Sequence, residues 1–219
     1  MDQVRDAYAS AAVNADKAGF DMIELHAGHG YLLSGFISPL SNERKDEYGG
    51  SLENRMRFPL AAFDAVRRAV PESMPVGVRI SATDWLEGGW DLEQSLVYAA
   101  ELKRRGCTFI HVSSGGISPR QKIAIGPGYQ VPFAERIKAA TGLPTIAVGL
   151  ITEPAQAEAI VAEDRADMVA LARAMLYDPR WPWHAATALG AQVEAPPQYW
   201  RSQPRGSKDL FGETKLGQR

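Results

Sequence analysis

Apolar positions along the chain follow two alternating rhythms. From the N-terminus, Val4, Tyr8, Ala11, Ala12, Ala15 and Ala18 recur at the spacing of one helix face. Gly19 can then take a left-handed cap. A short apolar run from Met22 to His26 reads as a buried strand. The same pair of rhythms recurs down the chain. A helix is expected over residues 53–70, its buried stripe marked by Leu52, Met56, Leu60, Phe63 and Val66. A strand is expected over 75–81. Asp91 is placed to cap the next helix, with Gln94 at capping-box spacing, and that helix runs to Arg105. Strands over 108–113, 144–149 and 167–173 alternate with helices over 131–140 and 152–163. Gly142 ends the first of these helices. Thr152 is the expected cap of the second, with Pro154 in its first turn. A last helix follows Pro182 and reaches about Leu189. Residues 32–52 read as one long loop rich in Ser, Pro, Asn and Gly, whose aromatic residues argue for order.

Five near-continuous apolar strands alternating with helices imply an α/β fold with a parallel sheet covered by helices. A doubly wound sheet and a (β/α)8 barrel both satisfy this. No G-x-G-x-x-G follows a strand, which weighs against the dinucleotide-binding sheet. Polar or small residues stand at the carboxyl ends of the strands, namely His26, Arg79, Ser113, Gly149 and Arg173. Convergence of several strand ends on one site is the habit of the barrel. Residues 1–190 are therefore expected to form part of a barrel and 191–219 a tail. From Ser202 onward the tail is polar and Gly-rich, and it is expected to be partly disordered.

Composition narrows the function. The 219 residues are 45% hydrophobic and 23% charged, with a formal net charge of −2. That balance leaves no electrostatic footprint for nucleic acid or an anionic membrane. No apolar run approaches the ~18 residues that span a bilayer. The first residues lack the apolar core of a signal peptide. Cys107 is the single cysteine, so no disulfide framework or all-cysteine metal site can form within the chain. Cys107 reads as a buried apolar filler, and a cytoplasmic setting is the default expectation.

The densest chemistry lies at Ile23-Glu24-Leu25-His26-Ala27-Gly28-His29-Gly30-Tyr31. The glycines break the strand and turn two imidazoles and a phenol out at its carboxyl end. Such a cluster suits the gripping of a carbonyl or anionic oxygen. Two ordinary loop histidines are the plainer alternative. Two histidines supply too few ligands for a metal, and there is no H-E-x-x-H, so no metal site is expected. Arg79 lies inside an apolar strand, where a charge must be paired or face a ligand. A salt bridge to Glu24 and a fixed cation beside an electron-rich ring or oxyanion are both open. Val148-Gly149 and Ala172-Arg173 end the last two strands, where barrels commonly bind a phosphate. Ser113-Ser114-Gly115-Gly116 is a weaker third contributor.

These stretches together resemble the old yellow enzyme family of FMN-dependent ene-reductases, in its bacterial branch of NADPH dehydrogenases and xenobiotic reductases. The similarity runs through Ile23–Leu32, Phe36–Asn42, Asp46–Ser51, Glu53-Asn54-Arg55, Val78–Ser81, Val112–Gly115, Pro127–Phe133 and Ala147–Ile151, in family order. The resemblance implies a (β/α)8 TIM barrel with FMN at the carboxyl ends of the strands. It implies that His26 and His29 bind the carbonyl or nitro oxygen of the substrate and that Tyr31 can deliver a proton. Arg79 would lie beside the flavin pyrimidine; Gly149, Ala172 and Arg173 would hold the flavin phosphate. Ala172 stands where the family usually has glycine. Arg201 would reach into a neighbouring subunit's substrate site in a homo-oligomer. The implied reaction carries hydride from NADPH or NADH through FMN to an activated alkene. Five of eight barrel strands are legible. The chain is therefore expected to be the C-terminal part of such a barrel, the first three strands lying outside it, and to hold FMN weakly or not at all by itself. Two rival readings are a phosphate-binding barrel enzyme without flavin and a non-catalytic fragment that needs a partner chain.

Overall fold

The computed structural model describes residues 1–207 and 209–212. Helix α1 (Asp2–Lys17) leads into β1 (Ile23–Ala27), α2 (Leu32–Ile37), α3 (Leu52–Ala69) and β2 (Val76–Ser81). Next come α4 (Leu92–Arg104), β3 (Ile110–Ser113), α5 (Val131–Thr141), β4 (Thr145–Val148) and α6 (Pro154–Ala162). Strand β5 (Met168–Ala170), α7 (Arg173–Tyr177) and α8 (Trp181–Leu189) follow, and a 3-10 helix spans Pro197–Ser202. The five strands are all parallel and lie in chain order, β1-β2-β3-β4-β5. This is the arrangement of five consecutive units of a (β/α)8 barrel, with β1 and β5 at the edges.

Period-two alternation sorts the strand residues onto two faces. Leu25, Val76, Val78, Ile80, Ile110, Val112 and Ala147 are buried beneath the helices. There they meet Phe63 and Val66 of α3, Tyr98 and Leu102 of α4 and Ile137 of α5 in one core. The opposite face carries Glu24 and His26 from β1, Arg79 from β2, His111 from β3 and Ile146 from β4, none of them fully buried. In a barrel that face looks inward. Register places His26 beside Arg79, and Arg79 beside His111. Gly77, also on this face, leaves room for the Phe109 ring, which a Cβ would meet at 2.3 Å.

The expected caps hold at two points. Asp91 Oδ1 accepts from the Gln94 N–H at 2.9 Å, and Gly142 ends α5 with φ 68°. Thr152 does not cap α6; the helix starts at Pro154 behind Glu153, which makes no capping bond through its side chain. Strand β5 stops at Ala170 rather than Arg173. Its last partner is Val148, where β4 ends, so the next residues have no strand to pair with and turn into α7.

The segment read as one long loop begins with helix α2, which buries Leu33 and Ile37. The remainder is tied down by polar side chains. Asn42 donates to the carbonyls of Phe36 and Tyr48, both at 2.7 Å. Arg55 is buried and donates to Gly50 O at 3.2 Å, to Gln94 Oε1 at 2.7 Å and to Ile37 O. Burial holds its pKa below the usual value. Asp84 accepts from the Ser38 hydroxyl at 2.6 Å and the Trp90 N–H at 2.8 Å. Burial nonetheless raises its pKa, the two donors opposing the shift only in part.

The tail folds back on α8. Ala186, Leu210 and Phe211 form a second, smaller core joined by Trp183, Val193, Ala195 and Trp200. The Arg180 guanidinium lies 5.0 Å from the Trp183 ring centre and 4.8 Å from that of Tyr199. Part of the segment expected to be loose is thus packed; Lys208 and residues 213–219 lie outside the described residues.

Candidate active site

Beyond β1 the chain turns sharply, with φ 57° at His29 and 77° at Gly30. A positive φ at a histidine is unusual and has to be held in place. Ser81 at the end of β2 does so: its hydroxyl accepts from the His29 N–H at 2.9 Å and donates to Gly115 O at 2.8 Å. The turn brings both imidazoles together. His26 Nε2 and His29 Nδ1 lie 3.3 Å apart, and the ring centres 5.1 Å. The Tyr31 ring sits 5.2 Å from His26 and is 65% exposed, open to a ligand. The other nitrogen of His29, Nε2, lies 2.7 Å from Ser113 Oγ at the end of β3.

Electrostatics keep the pair neutral. Burial, then Arg79, His26 and His111, lower the His29 pKa to about 4. Burial and Arg79 lower that of His26, against the pull of Glu24. At neutral pH both rings present N–H donors without a net charge.

Arg79 is not the salt-bridge partner of Glu24. Glu24 is level with Gly77, one side-chain layer below Arg79, and its carboxylate takes His111 Nδ1 at 3.0 Å instead. The buried Arg79 Nε has no hydrogen-bond partner among the described residues. A buried guanidinium N–H left without an acceptor costs about 1–3 kcal/mol unless a ligand supplies one.

A second cradle lies at the ends of β4 and β5. Gly149 adopts φ 121°, and a Cβ there would come within 2.5 Å of Gln130 Nε2 and 3.1 Å of Tyr129. A hollow of about 100 Å³ runs between residues 148–152 and 170–174. Ala172 and Arg173 lie on its rim, both exposed, and the Arg173 side chain makes no hydrogen bond or ion pair among the described residues. Arg201 belongs to neither cluster; it sits exposed on the 3-10 helix packed against α8. Among the described residues no group of three or more His, Cys, Asp or Glu could hold a metal ion, and no helix is long and apolar enough to cross a membrane.

Sequence reasoning missed the layer behind the histidines. Gln130 joins the two clusters: Nε2 donates to Val148 O at 2.9 Å, and Oε1 accepts from Ser114 at 2.6 Å and lies 3.2 Å from Ser113 Oγ. Trp85 Nε1 donates to Ser114 Oγ at 2.9 Å. A buried glutamine before a helix has no spacing that would announce this. The Glu24–His111 pair depends on strand register and was equally hidden.

Comparison with known proteins decides the family. The model of the NADH:flavin oxidoreductase / NADH oxidase family matches residues 1–192. The chain belongs to this family. It is 48% identical over 201 residues to an NADPH dehydrogenase of Geobacillus thermodenitrificans, covering 92% of this chain and 58% of that protein. It is 46% identical over 205 residues to an NADPH dehydrogenase of Bacillus pumilus, covering 92% and 60%. The chain thus spans well under two thirds of the length of these relatives. Among solved structures, morphinone reductase in complex with tetrahydroNAD superposes with a TM-score of 0.69 at 30% identity, over 97% of this chain and 53% of that one. A 2-naphthoyl-CoA reductase in complex with 2-naphthoyl-CoA gives 0.79 at 29% identity, over 87% and 29%.

Proposed function

We propose that this chain carries the substrate-polarising and phosphate-binding parts of an FMN-dependent NAD(P)H oxidoreductase that reduces activated alkenes, α,β-unsaturated carbonyl or nitro compounds. The observation that carries the reading is the convergence of two imidazoles, 3.3 Å apart, beside an Arg79 Nε that has no hydrogen-bond partner among the described residues. The residues fit a flavin. Arg79 offers a buried N–H to an electron-rich ring, Gly149 leaves the backbone bare, and Arg173 can pair a phosphate bidentately. The relatives named NADPH dehydrogenase and the family match support flavin chemistry over a barrel enzyme without it.

FMN, when bound, would supply the hydride step, taking hydride from NAD(P)H and giving it to the β-carbon of the alkene. The protein's own part is electrostatic. His26 and His29 would donate N–H bonds to the substrate oxygen, on which charge grows as the β-carbon accepts hydride. Tyr31, exposed beside His26, would hand a proton to the α-carbon. Arg201, exposed, would serve the site of a neighbouring subunit in a homo-oligomer. The reading takes the cytoplasm as the protein's setting, where a lone buried cysteine such as Cys107 stays reduced.

The native protein should bind FMN with quenching of flavin fluorescence and reduce a cyclic enone at the expense of NADPH. A protein that binds no flavin under these conditions refutes the reading.

A further inference from the structure

The two histidines can both donate to one oxygen only if His29 carries its proton on Nδ1, the nitrogen that faces His26. That choice is made at its other nitrogen, Nε2, which touches Ser113 Oγ at 2.7 Å. The surrounding network limits what Ser113 can do. Trp85 Nε1 is a donor only, so Ser114 Oγ accepts from it and sends its own proton to Gln130 Oε1 at 2.6 Å. Gln130 cannot flip, because its Nε2 is needed as the donor to Val148 O at 2.9 Å. Gln130 Oε1 therefore already holds a short hydrogen bond before Ser113 is considered. Ser113 has one proton and can send it to Gln130 Oε1 at 3.2 Å, which requires His29 to carry its hydrogen on Nε2, or to His29 Nε2 at 2.7 Å, which requires it on Nδ1. The shorter contact, and an Oε1 already engaged by Ser114, favour the second.

We propose that Ser113 is a positioning residue that fixes the Nδ1–H tautomer of His29 by donating its hydroxyl proton to Nε2. Trp85, Ser114 and Gln130 act by holding Ser113 to that role. His26 is left adaptable, since its Nδ1 has no hydrogen-bond partner among the described residues. Before substrate arrives, His26 Nε2 can accept from His29 Nδ1–H; with substrate present, it can switch tautomer and donate beside it. The pair thus combines one fixed donor with one adjustable donor. Because burial keeps His29 neutral down to about pH 4, its tautomer rather than its charge decides what it offers at neutral pH. The use of that N–H on a substrate oxygen rests on the reading proposed above; the tautomer does not.

The test is histidine-ring 15N NMR of the full chain labelled at histidine, at pH 7. The long-range proton–nitrogen pattern identifies which nitrogen of each ring bears hydrogen. His29 should be of the Nδ1–H type in the parent and in Ser113→Thr, which keeps the hydroxyl. In Ser113→Ala it should become a mixture or turn to Nε2–H. A parent His29 protonated on Nε2 overturns the proposal, as does a tautomer that ignores Ser113→Ala. In the native holoprotein, Ser113→Ala should slow alkene reduction about tenfold, with recovery in Ser113→Thr and little change in reduction of the flavin by NADPH. If the tautomer follows Ser113 while His29→Ala leaves alkene reduction intact, the tautomer assignment is upheld and the alkene-reductase reading is what fails.

Discussion

His29 makes a quantitative prediction about stability. Its pKa falls from an ordinary 6.5 to about 4 in the folded chain, first because the ring is withdrawn from water and then because Arg79, His26 and His111 face it. Below pH 6.5 the unfolded chain takes up a proton on this ring, while the folded chain resists until about pH 4. The contribution of His29 to stability is therefore complete above pH 6.5 and is lost as pH falls towards 4. At about 1.4 kcal/mol per pKa unit the full window corresponds to about 3 kcal/mol. The ring is only partly withdrawn from solvent, so screening reduces this to about 1–2 kcal/mol. The informative variant is His29→Asn, because asparagine tolerates the φ of 57° at this turn and does not titrate. Urea unfolding of both proteins at pH 7.5 and pH 5.0 cancels the titrating groups that do not touch the ring. The parent should lose about 1 kcal/mol more than His29→Asn between the two pH values. Equal losses in both, or a larger loss in the variant, would show that the ring does not resist protonation and that the account of the site's electrostatics is wrong.

Three further outcomes follow from the same structure. Arg173→Ala should weaken FMN binding in the native protein by about 1.5–3 kcal/mol, the size of a charge-assisted hydrogen bond, in a flavin-fluorescence titration; an unchanged dissociation constant would remove Arg173 from the phosphate site. Gly149→Ala should both strain a backbone at φ 121° and push the Gln130 amide from its place, lowering the unfolding midpoint as well as flavin affinity. Arg55→Ala should cost about 2–4 kcal/mol in urea unfolding, because Gly50 O, Ile37 O and Gln94 all lose their donor. Arg55→Lys should recover only part of this, since one ammonium cannot span three acceptors in different directions.

What the chain shows before folding depends on how local the cause is. The strand and helix pattern is local, and so are Asp91 as a cap and Gly142 as a stop; all of these are present in the structure. The juxtaposition of His26, His29 and Tyr31 was also legible, because nine consecutive residues carry it. Where β5 ends was not, because the limit is set by the length of β4 rather than by residues 167–173. Whether Glu24 pairs with Arg79 stayed open in the sequence, because strand register decides it: Glu24 lies level with Gly77, two residues before Arg79. Leu210 and Phe211 lie in a polar stretch without periodicity, and only the open side of α8 explains their burial. Ser81, Trp85 and Gln130 act through contacts between residues far apart in the chain, which no spacing rule can reveal.

The central claim is that His26 and His29 act on charge that appears on a substrate oxygen during hydride transfer. Stopped-flow measurement of the two half-reactions in His29→Ala tests it most directly. Reduction of an enone by the reduced protein should slow by about 10²-fold, the usual consequence of removing one donor to a developing oxyanion. Reduction of the flavin by NADPH should change far less, because no carbonyl oxygen gains charge in that step. Equal losses in the two half-reactions would mean that the ring positions the flavin or the nicotinamide, and no loss in either would contradict the claim outright.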